Sequence, residues 1–105
     1  MRATAVALFD ELDPGGLAHT IVEGVDLVIV RWPDGEGHSV FYGRCVHRGA
    51  LMADGFIDGD NLICGVHGWD YRFDTGVSSY NDSERLHKFS SWIENGEILV
   101  NAEEI

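Results

Sequence analysis

The stretch that decides the fold is residues 45–71, CVHRGALMADGFIDGDNLICGVHGWDY. It opens on Cys45-x-His47 and closes on Cys64-x-x-His67, and sixteen residues, 48 to 63, separate the two pairs. Each pair follows a short apolar run, so both pairs are predicted to lie in loops at strand ends. An Asp-Gly turn signal between them predicts a hairpin that returns the chain to the same edge. Two loops that each offer a thiolate and an imidazole would form one four-ligand site.

The rest of the chain also follows a strand pattern. Short runs of Val, Ile and Leu are separated by turn residues, and no long stretch has a convincing helical period. The predicted strands are Thr4–Phe9, Leu17–Val22, Val25–Trp32, Ser39–Tyr42, Phe56–Ile57, Leu62–Ile63, Phe89–Glu94 and Glu97–Asn101, and the predicted turns are Asp13–Gly16, Pro33–Gly37, Asp58–Asp60 and Asn95–Gly96. This pattern predicts an all-β fold, an antiparallel β-sandwich or small barrel, in a single domain over residues 1–105.

The charge balance narrows the range of partners. The chain has 18 acidic and 7 basic residues, which gives a formal net charge of −11. An acidic domain repels nucleic acid phosphates and anionic membrane surfaces, so neither is an expected partner. The longest apolar stretch, Val25–Val30, is too short to cross a bilayer, and the apolar start Met1–Phe9 stops too soon for a signal peptide. We therefore expect a cytoplasmic protein.

Two cysteines and two histidines suit either zinc or iron–sulfur chemistry. Zinc fingers usually pair like ligands within one segment, whereas here each segment mixes a cysteine with a histidine. Mixed pairs allow the two cysteines to hold one metal ion and the two histidines another. A Rieske [2Fe–2S] centre is built in this way, with two histidines replacing two cysteines on one iron. A zinc-stabilised interaction module stays as an alternative.

The pattern Cys-x-His-x₁₆-Cys-x-x-His, with the tails Arg48-Gly49-Ala50 and Gly68-Trp69-x-Tyr71, resembles the Rieske iron–sulfur family. Within that family the sequence is similar to soluble Rieske-type ferredoxins and to the Rieske domains of ring-hydroxylating oxygenases. The resemblance implies a Rieske-like fold with two cluster-binding loops. It also implies one Rieske-type [2Fe–2S] cluster as the cofactor.

The same resemblance assigns roles to individual residues. Cys45 and Cys64 would bind one iron through sulfur, and His47 and His67 would bind the other iron through Nδ1. The residues expected to surround and tune the cluster are Gly49, Gly65, Gly68, Trp69 and Tyr71. The glycines among them would let the backbone come close to the cluster and direct N–H groups at its sulfides.

Departures from the family pattern bear on the reduction potential. Gly65 stands where the second loop usually has proline, and Trp69 stands where high-potential members have a serine that bonds a sulfide, although Tyr71 keeps a hydroxyl nearby. The chain has only two cysteines, so it lacks the extra pair that forms a disulfide in the respiratory and photosynthetic members. Fewer hydrogen bonds to the cluster disfavour its reduced form. We therefore expect a potential in the lower part of the Rieske range of about −150 to +300 mV.

The resemblance implies an electron carrier, not an enzyme, that takes single electrons from a flavoprotein reductase and passes them to a terminal oxidoreductase, often an oxygenase. A catalytic oxygenase would need a mononuclear iron site of two histidines and one carboxylate in a large further domain. Too few residues follow Tyr71 to form one, so catalysis would require a second chain. A Rieske subunit held in a larger oxidoreductase complex is the main alternative.

The remaining charged and titratable residues are expected at the surface. Aspartates that flank the loops would form either an acidic docking rim or ordinary solvated turns: Asp54, Asp58, Asp60, Asp70 and Asp74. An acidic rim would favour basic patches on redox partners and electron-transfer rates that fall as salt rises. The histidines outside the motif, expected to be plain surface residues, are His19, His38 and His87.

Overall fold

A computed structural model describes residues 2–46, 49–66, 68–78 and 83–105. Within these ranges the chain forms ten β-strands, three single-turn 3₁₀ segments and no α-helix. The strands are β1 Ala3–Leu8, β2 Leu17–Val22, β3 Val25–Arg31, β4 His38–Tyr42, β5 Phe56–Asp58, β6 Asn61–Ile63, β7 Asp70–Arg72, β8 Lys88–Phe89, β9 Ser91–Glu94 and β10 Glu97–Asn101. In the described part of the chain, no helix is long and apolar enough to span a membrane.

The strands form three antiparallel sheets. Their orders are β1-β10-β9, β2-β3-β4-β8 and β5-β6-β7. The all-β, antiparallel prediction is therefore confirmed. The two larger sheets form the body of the molecule, and the small β5-β6-β7 sheet carries the segment between and after the two motif loops.

Most predicted strands are observed within one or two residues of their expected ends, but one is not. The sequence predicts a continuous strand Phe89–Glu94, whereas the chain forms β8 and β9 with Ser90 between them. The two pieces pair with different partners, since Phe89 lies opposite Val40 of β4 and Ser91 lies opposite Val100 of β10. The chain changes sheets at Ser90, and a run of strand-forming residues carries no signal for such a change.

Two hairpin turns have positive φ at both central residues. Glu23 and Gly24 (φ 52° and 76°) join β2 to β3, and Asn95 and Gly96 (φ 52° and 78°) join β9 to β10. This is the backbone of a type I′ turn, whose twist matches that of the flanking strands. The Asn95–Gly96 prediction is confirmed by this geometry.

Strand β3 is buried on both faces, which explains why its sequence is apolar without alternation. Leu27 and Ile29 belong to a core formed with the first sheet, whereas Val28 and Val30 belong to a core on the opposite face. All four side chains are fully buried. The residues of the second core are Val28, Val30, Phe41, Cys45, Met52, Leu62, Cys64, Tyr71 and Leu86. Both cysteines therefore lie in the second core.

His38, expected to be a plain surface residue, lies instead between two sheets. Its ring meets Phe9 edge-on at 6.4 Å, and its Nε2 is buried with no hydrogen-bond partner among the described residues. Burial lowers the pKa of His38 below the ordinary value of 6.5. A hydrogen bond to the Ser91 backbone raises the pKa in part, and the nearby Lys88 charge lowers it further. The native state therefore favours the neutral ring.

This burial predicts a loss of stability in mild acid. Because the folded-state pKa is lowered, the unfolded chain binds the His38 proton first as the pH falls below about 6.5. We expect the slope of unfolding free energy between pH 7.5 and 5.5 to be shallower in His38→Gln than in the parent protein. Urea unfolding at several pH values measures this slope, with the exposed His87→Gln as the matched control. An unchanged slope in His38→Gln would contradict the assignment.

Candidate metal centre

The two motif loops share one backbone design. In the first loop, the N–H of Cys45 donates to the Ala50 carbonyl (2.7 Å) and the N–H of Gly49 donates to the Cys45 carbonyl (2.8 Å). In the second loop, the N–H of Cys64 donates to the Trp69 carbonyl (2.8 Å) and the N–H of Gly68 donates to the Cys64 carbonyl (2.9 Å). Each loop thus begins at a cysteine and is closed by the same two hydrogen bonds over six residues.

A glycine with positive φ occupies the fifth position of each loop. Gly49 has φ +75° and Gly68 has φ +67°, and a Cβ added at either position would meet nothing within 4 Å. These glycines are needed for the left-handed backbone, which costs other residues roughly 1–2 kcal/mol. The resemblance attributed them to close approach of the backbone to the cluster; the turn itself already requires them.

The two thiols lie at the base of the loops and are inaccessible to solvent. Cys45 is 2% exposed and Cys64 is fully buried, and neither forms a disulfide. The Tyr71 hydroxyl on β7 lies 3.6 Å from Cys45 Sγ. Burial, followed by the hydrogen bond and charge of Cys45, raises the pKa of Tyr71 well above its ordinary value. The hydroxyl therefore stays protonated and can donate to a thiolate sulfur.

Gly65 has a steric role that the sequence did not reveal. A Cβ at position 65 would lie 2.8 Å from the Asp54 carbonyl oxygen, and one at Gly55 would overlap the Ile63 carbonyl. The second loop therefore packs directly on the 3₁₀ turn Met52–Asp54 and the residue after it. The same contact accounts for the absence of the usual proline, since a proline ring also places a Cβ at this point.

Other candidate residues are placed as follows. His47 and His67 lie outside the described residues, so their expected ligand roles are not tested by the structure. Trp69 is half-buried against the second core. Asp70 is 7% exposed and cannot belong to a solvated docking rim, because its place in β7 turns it inward. The expected rim therefore loses Asp70 and keeps four members, of which Asp74 is half-buried and Asp54, Asp58 and Asp60 are exposed.

Sequence reasoning missed a side-chain network that reaches the first loop. Arg44 donates through Nε to Asp26 Oδ2 (2.7 Å) and through a terminal nitrogen to the Gly49 carbonyl (2.9 Å). The second oxygen of Asp26 lies 2.7 Å from His19 Nε2, so His19 has a carboxylate partner despite its exposed position. The Arg44 and His19 hydrogen bonds lower the pKa of Asp26. No spacing rule reveals this network, because its members lie on β2, on β3 and in the segment after β4.

The chain matches the model of the Rieske [2Fe–2S] domain over residues 2–90. It therefore belongs to the Rieske family, and the resemblance inferred from the cysteine and histidine pattern is confirmed. Two curated relatives support this. A 4β-methylsterol monooxygenase from Methylococcus capsulatus is 42% identical over 48 residues, which is 46% of this chain, and the oxidoreductase NdmD from Pseudomonas putida is 30% identical over 81 residues, which is 76%. The match spans 13% of the length of each relative.

Solved structures share the fold over nearly the whole chain. The ferredoxin of carbazole 1,9a-dioxygenase from Nocardioides aromaticivorans superposes with a TM-score of 0.84 at 22% identity, covering 95% of this chain and 97% of that one. A ferredoxin from a complex with the oxygenase of carbazole 1,9a-dioxygenase superposes with a TM-score of 0.82 at 24% sequence identity. The match covers 95% of this chain and 93% of that one. A chain named as a nitrite reductase small subunit from Mycobacterium tuberculosis superposes with a TM-score of 0.83 at 17% sequence identity. The match covers 94% of this chain and 93% of that one. The Rieske ferredoxin fold is thus established.

The residues present fit the cluster that the family implies. Two thiols are buried together in one core, at the bases of two loops with the same backbone hydrogen bonds. A protonated hydroxyl lies beside one sulfur, as a donor to a thiolate ligand would. Membership of the family implies a Rieske-type [2Fe–2S] cluster as the cofactor.

Proposed function

We propose that this chain is a Rieske-type ferredoxin that carries single electrons from a flavoprotein reductase to a terminal oxidoreductase, in most cases an oxygenase. In this proposal residues 1–105 act as one Rieske domain in the cytoplasm and catalyse no bond-making step. When bound, a [2Fe–2S] cluster supplies one-electron redox chemistry. The residues of the chain bind it, shield it and present one edge of it to partners.

The ligand set follows from the motif. Cys45 and Cys64 would hold one iron and His47 and His67 the other. The Tyr71 hydroxyl, 3.6 Å from the Cys45 sulfur, would donate to it as a thiolate and so favour added negative charge at that side of the site. Trp69 contributes packing at the base of the second loop, where its carbonyl receives the Cys64 N–H.

The observation that carries the proposal is the contrast between buried thiols and exposed loop tips. Val46 is 49% exposed and Val66 is 66% exposed, each one or two residues from a buried cysteine. Apolar side chains next to a redox site can form the desolvated centre of a transient interface. The exposed acidic residues nearby and the net charge of −11 favour a partner with a basic surface.

Electron transfer and partner docking can be tested together. We expect the reduced protein to show the lowered average g value in EPR that marks histidine ligation of one iron. We expect a flavoprotein reductase from an aromatic-ring dioxygenase system, with NADH as donor, to reduce the protein at a rate that falls as salt rises. Val66→Lys should slow this reduction about tenfold, because it replaces an apolar contact with a charge that repels a basic patch.

The matched control is Ile93→Lys, which makes the same charge change at an exposed position on another sheet. Equal effects of the two variants would contradict a docking face at the loop tips. A colourless protein that contains zinc would contradict the electron carrier altogether.

A Rieske subunit held in a larger oxidoreductase is the second candidate. The fold match to a chain named as a nitrite reductase small subunit favours it. A held subunit would pass electrons at a rate independent of its concentration, whereas a diffusing carrier would show second-order kinetics. Stopped-flow oxidation at several protein concentrations separates the two.

A further inference from the structure

We propose that Arg44 and Asp26 are positioning residues for the first cluster loop. Arg44 joins the Gly49 carbonyl to the sheet, and Asp26 orients Arg44 for that task. The proposal deepens the proposed function, since it rests on the first loop carrying the ligands Cys45 and His47.

The backbone bonds of the first loop fix its internal shape. They run between Cys45 and Ala50 and between Gly49 and Cys45, entirely within the loop. The Arg44 side chain makes a different kind of connection, because it joins the late part of the loop to β3, the most deeply buried strand. The network therefore adds a side-chain connection from the late part of the loop to the sheet, beside the backbone contacts at its stem between Arg44 and Leu51 and between Met52 and Gly43.

Asp26 holds the stem of the loop through both its backbone and its side chain. Its carbonyl accepts the N–H of Gly43 at 2.7 Å, and its carboxylate accepts Arg44 Nε at 2.7 Å. Gly43 is required for the first contact, since a Cβ there would lie 2.8 Å from the Asp26 and Leu27 backbones. Two consecutive residues before Cys45 are thus fixed to one strand position.

The carboxylate of Asp26 is itself oriented. His19 Nε2 holds one oxygen at 2.7 Å, leaving the other for Arg44. The Asp26 side chain is only 19% exposed, whereas the Arg44 side chain is 43% exposed. A planar guanidinium can donate to a carboxylate and a carbonyl at once in fixed directions, which an ammonium on a flexible stem cannot reproduce. Arg44 is therefore expected to act by geometry rather than by charge alone.

The test measures how firmly the intact holoprotein holds its iron, to which the first loop would contribute Cys45 and His47. Dithionite-reduced protein is mixed with the ferrous chelator bathophenanthroline disulfonate, and iron release is followed by absorbance. Partners outside the ligand set typically change metal affinity by 10–100-fold, so we expect Arg44→Met to release iron about tenfold faster. Arg44→Lys should give an intermediate rate. Asp26→Asn should also accelerate release, and should add nothing in the Arg44→Met background, because both act through one connection.

A merely structural role would destabilise both loops together, so a second readout separates the two cases. Amide hydrogen exchange followed by mass spectrometry should rise over residues 43–50 in Arg44→Met and stay unchanged over residues 62–69. Arg72→Met is the matched control, because Arg72 follows the second loop and its ion pair reaches Asp74 (3.5 Å). That control should release iron at the parent rate.

In Arg44→Met, an equal increase of amide hydrogen exchange in both loops would overturn the proposal. An unchanged rate of iron release in the same variant would overturn it too. If that variant does not fold, Asp26→Asn carries the same two measurements. Neither readout needs a redox partner. If no reductase reduces the parent protein, the carrier proposal is contradicted. The positioning proposal is still tested by iron release and hydrogen exchange.

Discussion

Cys64→Ala is expected to purify colourless, with bound iron reduced to background. Cys64 is fully buried in the second core at the base of its loop, so no exposed side chain or water can take over its place as a ligand. Metal sites of this kind bind through the deprotonated thiolate, which alanine removes. Iron analysis and the visible spectrum of the purified variant measure the outcome. Cys45→Ala should behave in the same way.

Tyr71→Phe is the matched control for these variants. It removes only the hydroxyl that lies 3.6 Å from Cys45 Sγ and keeps the buried ring. The control should retain its iron and show a lower reduction potential, since a hydrogen bond to the sulfur favours the more negative, reduced form. A full complement of iron in Cys64→Ala would refute the cysteine assignment.

The histidine ligands need a separate variant because the structure does not describe them. His67→Cys should keep the cluster but lower its potential sharply, since a thiolate adds negative charge that opposes reduction. An unchanged potential in a variant that retains the cluster would remove His67 from the ligand set.

Gly55→Ala is expected to lower the unfolding free energy by about 3 kcal/mol and to reduce cluster loading. A Cβ at this position would overlap the Ile63 carbonyl oxygen, which belongs to β6 immediately before Cys64. The opposing group is backbone, so the clash can be relieved only by moving the strand that carries the second loop. Urea unfolding and iron content of the same preparation measure both effects.

Gly59→Ala in the same small sheet is the matched control. Gly59 has φ +60° and a Cβ there would meet nothing within 4 Å, so the substitution introduces backbone strain without a clash. We expect a cost of about 1 kcal/mol and unchanged cluster loading. Equal losses in the two variants would show that conformational strain, and not close packing, explains both glycines.

The sequence predicted the family, its cofactor and most of the strands because each depends on local patterns. The Cys-x-His and Cys-x-x-His pairs, the turn at Asn95–Gly96 and the apolar run of β3 each carry their signal within a few residues. The structure places both cysteines after strands and confirms the turn at Asn95–Gly96. It also confirms that the hairpin of β5 and β6 lies between the two loops.

The features that the sequence missed all depend on contacts between distant segments. His38 is half-buried because Phe9 and the β9 backbone cover it, and Asp70 is buried because β7 turns it inward. The Asp26–Arg44 contact joins residues 18 positions apart. Residue type and spacing do not encode such contacts, so polar residues such as His38 and Asp70 are expected at the surface.

The short strands of the small sheet bear on how the protein unfolds. Strands β5, β6 and β7 have three residues each, whereas β3 has seven and is packed on both faces. Few backbone hydrogen bonds hold the small sheet, so it can open as a sub-global unit at lower free energy than the whole domain. We expect loss of the cofactor to proceed by opening of this unit while the two larger sheets stay folded. The lifetime of the centre would then depend on the stability of the small sheet rather than on the global unfolding of the protein.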